Sequence, residues 1–134
     1  MTASRTKRWK PPLVMRTEHE EQCLVFAWAQ VMGGRYPELG VMFAVPNFAK
    51  ITPRWGAYMK AEGKKSGVPD IVLPVARGGY HSLFVEMKRA DGGVTYAAQE
   101  AWHLALTDQG NYVAICEGAE AAQKVITWYL DGAA

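Results

Sequence analysis

Cysteine is scarce in this chain: Cys23 and Cys116 are the only two among 134 residues. They lie far apart in apolar surroundings, without the short Cys or Cys/His spacings of a metal ribbon, which excludes a disulfide scaffold and a zinc module. No secretory leader opens the sequence, so both thiols are expected to be reduced core residues of a cytoplasmic protein. Long apolar runs are missing too. Nothing approaches the roughly 20 residues needed to cross a bilayer, so no membrane association is expected. Internal repeats and low-complexity segments are absent, excluding solenoids and fibrous arrays. Charge of one sign is hardly in excess, at +2 net, which permits a nucleic-acid partner without requiring one.

What is present fits a single domain. A 49% hydrophobic content over this length suffices for a moderate core. The basic residues Arg5, Lys7, Arg8, Lys10 and Arg16 crowd the N-terminus, where Pro11-Pro12 mark a break. The expected organisation is a basic arm over 1–16, able to touch phosphate, followed by a folded unit over 17–134.

Within that unit, Thr17 with Glu20 forms a capping-box signal, Glu18, Glu20 and Glu21 suit a helix N-terminus, and a helix is predicted to about Met32. Val41 to Val45 reads as a short buried strand stopped by Pro46-Asn47. Thr52-Pro53 starts a second helix, ended by Gly63, with Trp55, Tyr58 and Met59 on its inner face. A strand pair follows, joined through Arg77-Gly78-Gly79 and ending at Lys88. A third helix, capped by Thr95 and running to about Gln109, is predicted to bury Ala98, Ala101, Trp102, Ala105 and Leu106. His103 on it reads as a surface or interface residue. A buried strand at Tyr112 to Cys116 and a helix at Glu120 to Leu130 complete the chain. The fold class is α/β, with a central mixed sheet of about four strands and helices on both faces. The crossover from Lys88 to Tyr112 makes its two strands parallel.

The chemistry concentrates between Gly67 and Lys88. Asp70 heads one strand after Pro69. In the next strand Glu86 and Lys88, two residues apart, point to the same face as Phe84. If the two strands pair in register, Asp70 lies near Glu86. Adjacent carboxylates repel unless a cation lies between them, and hard oxygen donors suit Mg²⁺ or Mn²⁺. Glu-x-Lys by itself proves nothing, since that tripeptide is far more often an ion pair on an exposed strand. Its position opposite a Pro-Asp strand head is what favours a site. Lys64 and Lys65, between two glycines just ahead of Asp70, form a candidate phosphate-gripping loop.

Asp70 followed by Glu86-Met87-Lys88 resembles the PD-(D/E)XK nuclease signature. With Glu62 to Asp70 and Gln99 added, the chain is similar to the VRR-NUC branch, common in phage genomes and present in a eukaryotic DNA-repair nuclease. The likeness runs from about Glu18 to Leu130. It implies a restriction-endonuclease-like core and an Mg²⁺- or Mn²⁺-dependent endonuclease acting on DNA, leaving a 5′ phosphate. Asp70 and Glu86 become metal ligands together with the Met87 carbonyl. Lys88 and Gln99 become catalytic partners, and Glu18, paired with Gln22, becomes the first-helix glutamate of the site; Glu21 is the alternative. Asn47 becomes a candidate DNA contact. The resemblance further implies branched DNA, a four-way junction or a flap, a homodimer, and a phage or bacterial setting. Tyr36, Trp55, Tyr58, Trp102 and Trp128 exceed what a small core readily absorbs, which also favours an interface. The competing reading is a non-cleaving DNA-binding or recombination-accessory module on the same fold.

Overall fold

The computed structural model describes residues 15–46 and 52–134. Asn47 and the arm residues Arg5, Lys7, Arg8 and Lys10 lie outside the described residues. Four strands form one sheet in sequence order: β1 (Phe43–Ala44), β2 (Ile71–Leu73), β3 (Leu83–Lys88) and β4 (Tyr112–Glu117). The first two pairings are antiparallel and β3 with β4 is parallel, so the sheet is mixed as the pattern predicts. Four α-helices flank it: α1 (Glu18–Met32), α2 (Pro53–Ala61), α3 (Ala97–Asp108) and α4 (Ala119–Leu130). No helix among the described residues is long and apolar enough to cross a membrane.

The local signals at the first helix operate as read. Thr17 Oγ1 accepts from the Glu20 backbone N–H at 3.1 Å and Glu20 Oε1 accepts from Thr17 N–H at 3.2 Å, a reciprocal capping box. On β3, Leu83, Val85 and Met87 alternate into the core, where they meet Val25 of α1 and Ile126 of α4. The opposite face, carrying Glu86 and Lys88, is turned to α3, whose Gln99 bonds both of them.

Several expectations need correction. The strand expected over Val41–Val45 is two residues long and exposed, because a 3-10 turn occupies Pro37–Val41 and takes its backbone first. Cys23 is exposed on α1; Cys116 is buried, and both are free thiols. The hairpin is looser than a tight two-strand turn. Pro74 has no N–H for the ladder, so β2 stops at Leu73, and pairing returns only as the Arg77–Tyr80 bridge around Gly78-Gly79. The α3 N-cap is Tyr96 rather than Thr95, and Tyr96 N–H donates to Gln99 Oε1 at 3.0 Å.

The largest departure concerns the helices that were expected to bury a face. No residue of α2 or α3 is buried. Trp55 is 59% exposed and Tyr58 60%, whereas Met59 is half-buried. Trp102 and Leu106 are half-buried, while Ala98, Ala101 and Ala105 face solvent. β4 is an edge strand with only Cys116 buried. The core therefore lies almost wholly on the α1/α4 side of the sheet.

Candidate active site

The β2–β3 register pairs Ile71 with Val85, so its continuation sets Asp70 opposite Glu86. Asp70 is anchored by its own side chain: Oδ2 accepts from the Met87 backbone N–H at 2.7 Å. Glu86 is 2% exposed, and Lys88, two residues on, is 4% exposed. Burying two ionisable side chains is unfavourable unless each is satisfied by directed bonds, and α3 supplies them. Gln99 uses both ends of its amide, Nε2 donating to Glu86 Oε1 at 3.1 Å and Oε1 accepting from Lys88 Nζ at 3.2 Å. A second acceptor for Lys88 Nζ is the Val94 carbonyl at 2.9 Å. Burial, and then the neighbouring Asp70 carboxylate, push the Glu86 carboxyl up to about 9 from 4.5, with Lys88 pulling the other way.

The first-helix glutamates separate. Glu18 opens onto a cleft of about 480 Å³ whose walls include Gln22, Phe26, Val45, Asp70 and Met87. It lies close enough to Glu86 to raise its pKa further. Glu21 faces elsewhere. It is 3% exposed, and its Oε2 accepts from Ala119 N–H at 2.6 Å, at the first turn of α4, while Oε1 lies 3.7 Å from Arg16. The alternative assignment of Glu21 to the site is therefore not what the geometry offers; the carboxylate compensates a positive helix end. Gly118, at φ 87°, makes the turn that brings the α4 amides to it, and a Cβ there would crowd Ala90 at 3.3 Å. Arg16, counted with the arm, is held by Glu21.

The basic loop is not in contact with the carboxylates. Lys64 pairs with Glu62 at 3.2 Å, both partly exposed, and Lys65 faces solvent. The loop is nonetheless fixed to α3: Trp102 Nε1 donates to the Ser66 carbonyl at 3.1 Å, and Gly67, at φ 85°, approaches so closely that a Cβ would lie 3.0 Å from the Ala98 backbone.

Two features escaped the sequence reading. The His103 Nε2 atom is buried without a hydrogen-bond partner among the described residues and lies 3.8 Å from Glu86 Oε1. Burial, then Lys88, lowers its pKa, against an opposing pull from Glu100. Its spacing of four from Gln99 was the available signal, since i and i+4 share a helix face. The Val94 carbonyl has no sequence signal, being a backbone atom.

Among the described residues no three His, Cys, Asp or Glu side chains converge as a ready-made metal cage. A cation at Asp70 and Glu86 would thus take two carboxylates, backbone oxygen and water. That composition suits Mg²⁺, which keeps several waters and uses one or two carboxylates. The donors fit: a carboxyl held protonated chiefly by burial and a neighbouring carboxylate is one that a divalent cation can discharge.

No curated protein matches the chain. A solved structure described as a VRR_NUC domain protein superposes with a TM-score of 0.73 at 26% identity, covering 88% of this chain and 91% of that one. The model of the VRR-NUC domain matches residues 10–120. With its mixed four-stranded sheet and flanking helices, this chain belongs to the VRR-NUC family of nuclease-type, DNA-acting domains within the PD-(D/E)XK superfamily.

Proposed function

We propose that the chain is an Mg²⁺- or Mn²⁺-dependent endonuclease that hydrolyses phosphodiester bonds in branched DNA, four-way junctions or flaps, as a homodimer. The observation that carries this reading is the buried Glu86 beside Asp70, joined through Gln99 to a buried Lys88. Nothing in the packing of a sheet requires those four polar side chains together, and a module that only binds DNA gains nothing from a carboxylate pair that repels phosphate.

Asp70, Glu86 and the Met87 carbonyl would hold the cation. When bound, such an ion polarises the scissile phosphate and lowers the pKa of a coordinated water. Lys88 has three donors, and two are engaged by Val94 and Gln99. The third has no partner among the described residues and would orient the attacking water or stabilise charge developing on a phosphate oxygen. Gln99 keeps the lysine and the glutamate at a set separation. Glu18, at the mouth of the cleft, completes the outer ring of acceptors. Lys64 and Lys65, with Asn47 and the arm residues Arg5, Lys7, Arg8 and Lys10 ahead of the 17–134 unit, would bind flanking phosphates. Free thiols at Cys23 and Cys116 suit the reducing cytoplasm of a bacterial cell, infected or not.

The test is a cleavage panel of single-stranded, duplex, flapped and four-way DNA in Mg²⁺, Mn²⁺ and EDTA. Incision of branched substrates with either ion, and none in EDTA, is expected. Binding of all substrates without incision under any metal would replace the nuclease with the accessory module.

A further inference from the structure

Trp55 and Tyr58 are large aromatic side chains, one helical turn apart on α2 and more than half exposed. Their rings meet edge to face, with centroids 5.5 Å apart at 87°. That contact takes the edge of one ring and one face of the other, and leaves the remaining faces for stacking. α2 buries none of its residues, so the pair is not a core remnant that the helix needs. The segment that carries it is predominantly basic. Arg54 lies one turn before Tyr58 on the same face, and Lys64 and Lys65 follow in the loop after the helix, where Glu62 is already paired by Lys64, whereas Lys60 stands on the opposite face.

We infer that α2 is a stacking platform for unpaired bases: Trp55 and Tyr58 receive a nucleobase of a displaced or flapped strand, while Arg54 and Lys65 take its phosphates. This rests on the nuclease reading for the identity of the ligand as DNA. Aromatic faces set in a basic surface bind single strands because every base offers a π-face and every nucleotide a charge. A second copy of this chain is the poorer occupant, since two such surfaces would bring their cations together. The platform is also tied to the candidate site through α3. The loop that leaves α2 is held on α3 by Trp102 and Gly67, next to Gln99, and then runs straight into Asp70. A strand gripped at α2 is thereby registered against the carboxylates.

The experiment is fluorescence anisotropy in EDTA, with labelled blunt duplex and the same duplex carrying a single-stranded flap, for the wild type and for Trp55→Ala, Tyr58→Ala and Trp55→Phe. The alanine variants are expected to weaken flap binding by about tenfold per ring, with a much smaller change for blunt duplex, and the phenylalanine variant to recover most of it. Light scattering on the same samples reads the competing occupant. Equal losses on both DNAs, no loss on either, or a wild-type dimer that dissociates on Trp55→Ala would each overturn the platform. Because no cleavage is needed, the two readings fail separately: a wild type that prefers flaps through Trp55 but never cuts removes the nuclease and leaves the platform, and a wild type that binds no DNA removes both.

Discussion

Glu86 reports most directly on what the site is for. Without a cation its protonated form is the one the fold favours, with the carboxyl raised from 4.5 to about 9. The stability it contributes is complete below about pH 4.5 and is lost as pH climbs through about 9. In EDTA the melting temperature should therefore fall from pH 5 to 9, at a rate no steeper than about 1.4 kcal/mol per pH unit. Glu86→Gln, which has nothing to ionise, should flatten that slope; identical profiles for the two chains would remove the argument. Mn²⁺ must expel the same proton, so its affinity should rise over that interval. Substitutions then separate the roles. Asp70→Asn and Glu86→Gln are expected to abolish cleavage and weaken Mn²⁺ binding in calorimetry, whereas Lys88→Ala should lose cleavage and bind Mn²⁺ at least as tightly, because a cation leaves the cluster. Unchanged Mn²⁺ affinity in both carboxylate variants would deny them a ligand role.

Elements decide which of two similar glutamates does what. Glu18 and Glu21 share α1, three residues apart, yet one lines the cleft and the other meets α4 through a bond spanning 98 residues of sequence. Glu21→Ala should leave the buried Ala119 N–H unpaired and cost about 1–3 kcal/mol in urea unfolding. Glu21→Gln, still an acceptor, should recover much of that, with Mn²⁺ affinity unchanged in both. A fall in metal affinity with no loss of stability would return Glu21 to the site. The capping box, the Thr52 N-cap of α2 and the Asp70–Glu86 adjacency were legible in the sequence, since each depends on residues within one turn or one strand pairing. Glu21's partner was not, because nothing near it in sequence names the helix end it faces. Trp55 and Tyr58 were misread for a related reason: helical spacing says which side chains share a face, and only the packing of other elements says whether that face is covered.

The molecule as a whole bears on assembly. Of the five large aromatics that favoured an interface, Tyr36 is buried and bonded to Asp131, Trp102 holds Ser66, and Trp128 holds the Ala134 carbonyl. The case for a homodimer now rests on the two-site geometry that paired incision of a four-way junction needs, and on exposed apolar residues such as Leu104 and Ile115. Light scattering should give twice the 14.8 kDa chain at micromolar concentration. A 14.8 kDa particle with and without junction DNA would move the substrate to a flap, which one site can process.

The one-sided core has a consequence for local opening. α1, α4 and β3 share buried contacts, while α3 is attached by half-buried side chains and a handful of polar bonds. The candidate site straddles that boundary: Glu86 and Lys88 belong to the firm half, and Gln99 and His103 ride on the loose one. Amide hydrogens of α3 should exchange with deuterium well before those of β3 and α4, and DNA bound in Ca²⁺ should slow α3 most. The residues that set the lysine would then be ordered fully only when a strand is in place, so that idle molecules keep their hydrolytic machinery slack.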